Sequence, residues 1–561
     1  MNKTSLSILF LAPLTVAGAA IAASRHAERV EALPPVKVQM PIVGDTALAQ
    51  HRFSDVQLLE GASRRHVKTT RSQIETTDTA GYFKLSKPAS GRVVETLVTT
   101  LRPERFIKGS LKVTSASVFE VMVDGVSKGS KAKPDSAVTA SSVVAVPIEL
   151  EPERTADIMV KVLTDSEAKN DPAVKIEFEP ESKYSDVNYS LVPEKKHRFS
   201  IYDMSDGPRA RSTSMSPDGK YVITRFVEVF SEKEQRTWST LTETKTGKII
   251  NASLNGSAGW MPSGSTLYYT VKRGDSYDLV NISLPSQSSE TVATGLPTGD
   301  IIWSPDASYF VYYKYSSPDD RMPENRDRYY LMKYDLSTSV AQPLTYGGAT
   351  TYPDGFNADG SKMLIKAMRE NTSEYPFYKT DLIQVDMKTM AVDTLVKANG
   401  DLSSAVYSPD GKSLFIVGGP SLFGKLGVNA GDHPIANDFD SQGYLFDIAS
   451  KKVTPMTRDF DPAIQGEPVW NASDGKIYFR AEEGFFVPVY CLNPADGSIK
   501  KLPVAADNVA NFSIGNREDR YMSYTGQAYE YAGRAYLMDL KTGKSTVMAD
   551  PDAERLAEVN F

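Results

Sequence analysis

Gly125-Val126-Ser127-Lys128-Gly129 fits G-x-S-x-G, the frame in which a serine nucleophile is raised on a sharp strand-to-helix turn. Such a serine needs a base to take its proton, and the chain offers five histidines, His26, His51, His66, His197 and His433. The flanks argue against an elbow. Val121-Met122-Val123-Asp124 reads as a strand and Lys131-Ala132-Lys133-Pro134 as a loop, so Ser127 is expected at a hairpin tip. His433 lies in a Gly-rich insertion, Gly418 to Asp438, whose length suits a gate over a pocket or a plain solvated loop. Glu482-Glu483 pairs two carboxylates, chemistry that suits a substrate ammonium group. Consecutive strand residues point to opposite faces, however, so a turn position is expected instead. Asp438-Phe439-Asp440-Ser441-Gln442-Gly443 resembles the start of a calcium loop, but Ala449 stands where the bidentate glutamate belongs. The single cysteine, Cys491, has no partner for an internal disulfide, and no Cys/His spacing suits zinc. No catalytic, cofactor-binding or metal-binding residue is therefore assigned, and no cofactor is expected.

The rest of the chain must supply the scaffold. It has 561 residues, 41% of them hydrophobic, enough for two or three domains with a sizeable core. With 63 basic residues against 70 acidic, the net charge of −7 argues against a nucleic-acid partner. Met1-Asn2-Lys3, the apolar stretch Ser5 to Ala19 and the small-x-small Ala20-Ile21-Ala22 read as a signal peptide over residues 1–22. Pro13 and the short apolar length weigh against a membrane anchor. A periplasmic or secreted location follows, with no membrane insertion once the signal is cleaved.

One phrase recurs. Met215-Ser216-Pro217-Asp218-Gly219-Lys220 returns as Trp260-Met261-Pro262-Ser263-Gly264, Trp303-Ser304-Pro305-Asp306-Ala307, Phe356-Asn357-Ala358-Asp359-Gly360, Tyr407-Ser408-Pro409-Asp410-Gly411 and Trp470-Asn471-Ala472-Ser473-Asp474-Gly475. A worn seventh copy runs from Phe512-Ser513-Ile514-Gly515 to Asp519. Spacings between copies are 45, 43, 53, 51, 64 and 45 residues. Proline presets the first corner of a turn, aspartate bonds back to the turn backbone, and glycine takes the positive-φ corner. Ala307 breaks the rule, and its Cβ costs on the order of 1 kcal/mol if φ is positive. Each turn is followed by a strand-like run, such as Tyr221-Val222-Ile223 or Leu414-Phe415-Ile416. A second hairpin then ends its strand near Asp335, Asp386, Asp447 or Asp539. Two hairpins per 40–50 residues make a four-stranded blade, and a small sheet buries both faces only when neighbouring sheets cover it. Residues 195–549 are thus expected to form a β-propeller of about seven blades.

Ahead of it, residues 23–80 are poorly patterned. Residues 81–185 carry β-rich runs without a helical period, read as a small jelly-roll-like β-sandwich. The fold class is all-β. Phe119 to Gly125 is similar to a hairpin of carbohydrate-binding modules, although a structural cap or spacer is the plainer reading.

Three stretches carry a family resemblance. They are Met456-Thr457-Arg458-Asp459-Phe460-Asp461 running through Trp470 and Ile477-Tyr478-Phe479-Arg480-Ala481-Glu482-Glu483-Gly484 to Val489-Tyr490, then Pro434 to Gln442 ahead of Tyr444-Leu445-Phe446-Asp447, and Asp550 to Phe561. Over residues 195–561 the chain resembles the propeller portion of the prolyl oligopeptidase family of serine peptidases, in its acylaminoacyl-peptidase and dipeptidyl-peptidase-5-like branch. The resemblance implies a propeller that gates access of short peptides to an α/β-hydrolase domain carrying Ser, Asp and His. No residue here matches that triad, so 550–561 is expected to be a linker stub toward a hydrolase domain that this sequence lacks, and the chain a fragment. The alternative is a stand-alone periplasmic binding propeller of the Tol-system type, without enzymatic activity. Peptides, reached through the missing domain, are the expected partners.

Overall fold

The computed structural model describes residues 25–38, 54–59, 72–75 and 80–560, apart from 194–195, 232–233, 263, 317–327, 346–348, 371–372, 374–376, 398–400, 431–438 and 519. The signal-like segment, His51, His66, His433, Ser263 and Asp519 fall outside the described residues. The chain divides into two compact units, residues 1–202 with 558–560, and residues 203–557.

The first unit is a two-sheet sandwich. Tyr82–Lys84, Ala173–Pro180, Ile107–Thr114 and Val143–Leu150 lie side by side in one sheet. Arg92–Pro103, Ala156–Asp165, Val118–Val123 and Val126–Lys131 do so in the other. This alternation of strands between the sheets is the jelly-roll order. Alternate residues of each strand, Ile107, Leu111 and Val113 or Ile158, Val160 and Val162, enter one core. The sandwich reaches beyond 81–185. Arg29–Ala32 pairs with Arg92–Pro103, Arg25–His26 with Ala173–Pro180, and Tyr189–Val192 with Arg92–Pro103. Ala27 and Val30 are fully buried, because even a weakly patterned segment gains by covering an open sheet edge.

The second unit is a seven-bladed propeller. Seven four-stranded antiparallel sheets, each built from strands consecutive in sequence, form blades 1 to 7 at residues 207–254, 259–296, 302–343, 350–396, 402–455, 463–501 and 508–549. Each turn phrase joins the first and second strands of its blade. The serine hydroxyl donates to the aspartate (Ser216 to Asp218, 2.8 Å; Ser304 to Asp306, 2.7 Å; Ser408 to Asp410, 2.6 Å). The same hydroxyl accepts the amide that opens the second strand (Tyr221, 3.0 Å; Ser413, 2.9 Å). Although burial opposes it, hydrogen bonds from Ser265, Ser216 and Lys220 hold the Asp218 carboxyl down at about 2. Ala307 takes the glycine corner at φ +58°, so the strain foreseen from its Cβ is present. Asp335, Asp386 and Asp539 cap the second hairpins by accepting two backbone amides each.

The two faces of each blade are buried against different neighbours. Phe310 and Tyr312 pack with Leu279 and Leu296 of blade 2, while Tyr309 and Val311 pack with Met363 and Ile365 of blade 4. Leu414 and Ile416 join the blade 4 cluster, and Phe415 and Val417 the blade 6 cluster. Among the described residues no strand is borrowed to close the ring. Instead the Asn511 side chain of blade 7 accepts the Thr213 amide (2.8 Å), Ser513 Oγ accepts the Met215 amide (3.0 Å), and Thr525 Oγ1 donates to the Arg211 carbonyl (3.2 Å). The seventh turn is worn because it docks on the first. A Cβ on Gly515 would lie 2.5 Å from the Ser216 carbonyl, and the Arg517 amide donates to the Pro217 carbonyl at 3.0 Å.

Within the stretch 550–561, expected as a linker, residues 550–557 belong to the second unit. Ala553–Leu556 forms a helical turn whose Arg555 donates to both Asp552 carboxylate oxygens (2.8 and 2.6 Å) and, at 3.1 and 2.6 Å, to the Asp203 carboxylate and carbonyl ahead of blade 1.

Candidate binding face of the propeller

Because each blade is a four-stranded antiparallel meander, its two rims differ. The turn phrases and the second-hairpin turns lie on one rim. The loops between second and third strands, and the links between blades, lie on the other. All nine exposed aromatic residues among the described residues belong to this second rim. Tyr313, Tyr315 and Tyr329 flank the loop of blade 3, Phe377 and Tyr378 that of blade 4, and Phe439 that of blade 5. Phe485 and Phe486 form the tip of blade 6 and Tyr529 that of blade 7. Phe485 is 94% exposed. Large exposed apolar side chains gathered on one face mark an interaction surface rather than ordinary solvated surface.

Toward the axis, this rim has a polar seam. The first strand of blade 4, Thr350–Phe356, bulges between Pro353 and Gly355, which places Asp354 at the extra position. Its carboxylate, 2% exposed, accepts the Ala405 amide of blade 5 (2.6 Å) and the Lys366 ammonium (3.0 Å). Lys366 also donates to the Ser403 carbonyl (2.6 Å). Burial pushes the Asp354 carboxyl above the ordinary carboxylate range, against the pull of Lys366. Tyr313 packs between Tyr329 and Tyr352, at centroid separations of 6.4 and 6.2 Å. Burial, and then the neighbouring Tyr352, Glu467 and Asp354, raise its phenol.

The Lys366 contact belongs to a set. Arg225, Thr270, Lys366, Arg480 and Thr525, all on second strands, donate to carbonyls on or just before the first strand of the next blade. The acceptors are Ala258 (2.6 Å), Gly299 (3.3 Å), Ser403 (2.6 Å), Ala510 (2.7 Å) and Arg211 (3.2 Å). Burial lowers the Arg225 and Arg480 guanidinium pKa values. Tyr313 fills the matching position of blade 3 and meets blade 4 by ring contact instead.

Beside Arg480 lies a cavity of about 510 Å³ between blades 6 and 7, walled by Arg480, Glu482, Phe485, Asn508 and Gln527. Here the two adjacent carboxylates part company. Glu482 faces the cavity and accepts from Gln465 (3.2 Å), whereas Glu483 pairs with Lys501 and closes the 483–486 turn through its amide. They do not form one ammonium site.

Ser127 lies on the strand Val126–Lys131, just past a turn in which Asp124 and Gly125 have positive φ, with a hairpin partner before it and a 3-10 turn at Ala140–Ser142 after it. The G-x-S-x-G frame therefore sits in a β-hairpin of the first unit and not at a strand-to-helix elbow. His26 and His197 also belong to that unit. Among the described residues no group of three or more His, Cys, Asp or Glu is placed to hold a metal ion. In the described part of the calcium-like stretch, the Asp440 carboxyl is raised by burial and by Asp461. The Asp354–Lys366 pair and the donor ring were not assigned from sequence. The signal for them is a cation within an otherwise apolar strand, six residues after the turn glycine, as in Gly219 to Arg225 and Gly360 to Lys366.

No protein-family model and no curated protein sequence matches the chain. Its fold is similar to that of solved structures at low identity. The β-propeller domain of the trilobed protease from Pyrococcus furiosus, described as having an open velcro topology, is 13% identical with a TM-score of 0.44, over 61% of this chain and 99% of that one. Acylaminoacyl peptidase of Pyrococcus horikoshii is 13% identical with a TM-score of 0.47, over 65% of this chain and 55% of that one. TolB from Acinetobacter baumannii is 18% identical with a TM-score of 0.33, over 58% and 79%. This chain spans about half the length of the acylaminoacyl peptidase chains it resembles. The structures to which it is similar thus include propeller domains of prolyl oligopeptidase-family peptidases alongside TolB.

Proposed function

We propose that this chain is the non-catalytic, peptide-gating propeller portion of an exported serine peptidase that acts on short peptides. The carrying observation is the collection of all described exposed aromatic residues on the rim where the chain enters and leaves the propeller, at Gly207 and Ala549. A catalytic domain joined to the propeller's ends would face that rim. Aromatic side chains suit extended peptides, and the Arg480–Glu482 cavity offers one group of each sign for peptide polar ends. The sequence resemblance over 434–447, 456–490 and 550–561 supports the same assignment.

The test has two arms. The coding sequence beyond codon 561 should continue for about 250 residues, the upper end of the usual domain range, with G-x-S-x-G on a strand-turn-helix. An immediate stop would instead favour the stand-alone binding propeller. The purified chain should not hydrolyse short peptide amides above background. Turnover abolished by Ser127→Ala would overturn the reading.

A further inference from the structure

A cavity of about 810 Å³ is walled, among the described residues, by side chains of the first unit alone. Its walls come from Arg25, from Thr100, Arg102 and Pro103 at the end of Arg92–Pro103, from Asn188 to Ser190, and from Lys196, His197 and Arg198. The local charge is inverted relative to the protein. The chain carries −7 overall. Among the described lining residues, four arginine and lysine side chains stand against two carboxylates, Glu104 and Glu153, a formal excess of two positive charges over these six groups. Glu104 is in addition taken up by the Asn188 amide, 3.4 Å away. The frame that presents these groups is fixed. Tyr189 OH accepts the Arg25 amide (3.1 Å) and donates to the Phe178 carbonyl (2.9 Å), and the Arg25 guanidinium lies 5.4 Å from the Tyr189 ring centre. The Glu153 amide, at a residue with φ +63°, bonds the Pro103 carbonyl (3.1 Å), and the Glu104 amide bonds the Asn188 carbonyl (3.0 Å).

Guanidinium groups recognise planar or tetrahedral oxyanions by forked hydrogen bonds, and Ser, Thr and Asn side chains complete such a shell. A volume near 800 Å³ admits a small molecule rather than a single ion (sites are commonly about 300–1,000 Å³). We propose that this cavity binds a compact polyanion bearing two or more carboxylate or phosphate groups, a site independent of the peptide-gating reading of the propeller.

The test is titration calorimetry of the full chain at constant ionic strength, with citrate and pyrophosphate as probes and glucose as the neutral control. Saturable one-site binding of citrate or pyrophosphate, and none of glucose, is expected, the preferred probe identifying the oxyanion. The Arg102→Gln/Arg198→Gln chain should bind the preferred probe at least about tenfold more weakly, the loss of one to two charge-assisted hydrogen bonds. Lys412→Gln/Lys476→Gln, which removes the same charge from exposed turns of the propeller, should bind as the parent does. If the arginine pair proves necessary for folding, Lys196→Gln/Arg198→Gln, at exposed positions, must show the weakening. Absence of saturable binding by both anions would overturn the proposal. So would equal weakening in the propeller control.

Discussion

Replacing Lys366 by methionine removes the ammonium that faces the most buried carboxylate of the propeller seam. Asp354 then keeps only the Ala405 amide at 2.6 Å, with Glu467 among its neighbouring charges, and the Ser403 carbonyl loses its 2.6 Å donor. Breaking one side of a buried ion pair leaves an uncompensated charge and costs about 3–5 kcal/mol. Removing both charges with Asp354→Asn/Lys366→Met should recover most of this, to within about 1 kcal/mol of the parent, because two charges no longer need desolvation. The pH dependence has a definite sign. Burial raises the folded pKa of Asp354 above its unfolded value. Its favourable contribution is therefore full below the unfolded pKa and is lost as pH rises through the folded pKa. Without Lys366 the folded pKa rises further, so the Lys366→Met deficit should shrink between pH 7 and pH 5. All four tryptophans, Trp238, Trp260, Trp303 and Trp470, lie in blades, so urea unfolding followed by tryptophan fluorescence reports the propeller unit. A single-variant cost under about 1 kcal/mol, or a double variant no better than the single, would refute the assignment of Asp354 as a paired buried carboxylate.

Two further outcomes follow from the same ring. Arg555→Met removes the donors to Asp203 and Asp552, whose side chains are nearly buried, and should lower the fluorescence-detected stability by about 3 kcal/mol. An unchanged urea midpoint would mean that the 550–557 segment does not hold the ring ends. Ala307→Gly should raise stability by up to about 1 kcal/mol, since φ is +58° there, and a loss of stability would show that the corner is not strained.

The blades are legible in the residues alone. The Ser/Asn-x-Asp-Gly turns, the alternating strands and the capping aspartates act within about ten residues, so their chemistry is written locally, and Ala307 shows its departure in both sequence and backbone. The same locality gave the sandwich strands from Tyr82 onward but not Arg29–Ala32, whose place depends on the edge that it covers. Which partners meet between blades is set by the folded ring. Asp354 finds Ala405 across 51 residues, and Thr213 finds Asn511 across 298. Neither separation is encoded in a period, because the blades differ in length and the last turn is reshaped to dock on the first. The aromatic rim was equally hidden. Its members are scattered between Tyr313 and Tyr529 in loops of unequal length, and they become one surface only when closure of the ring brings every second-to-third-strand loop to the same side.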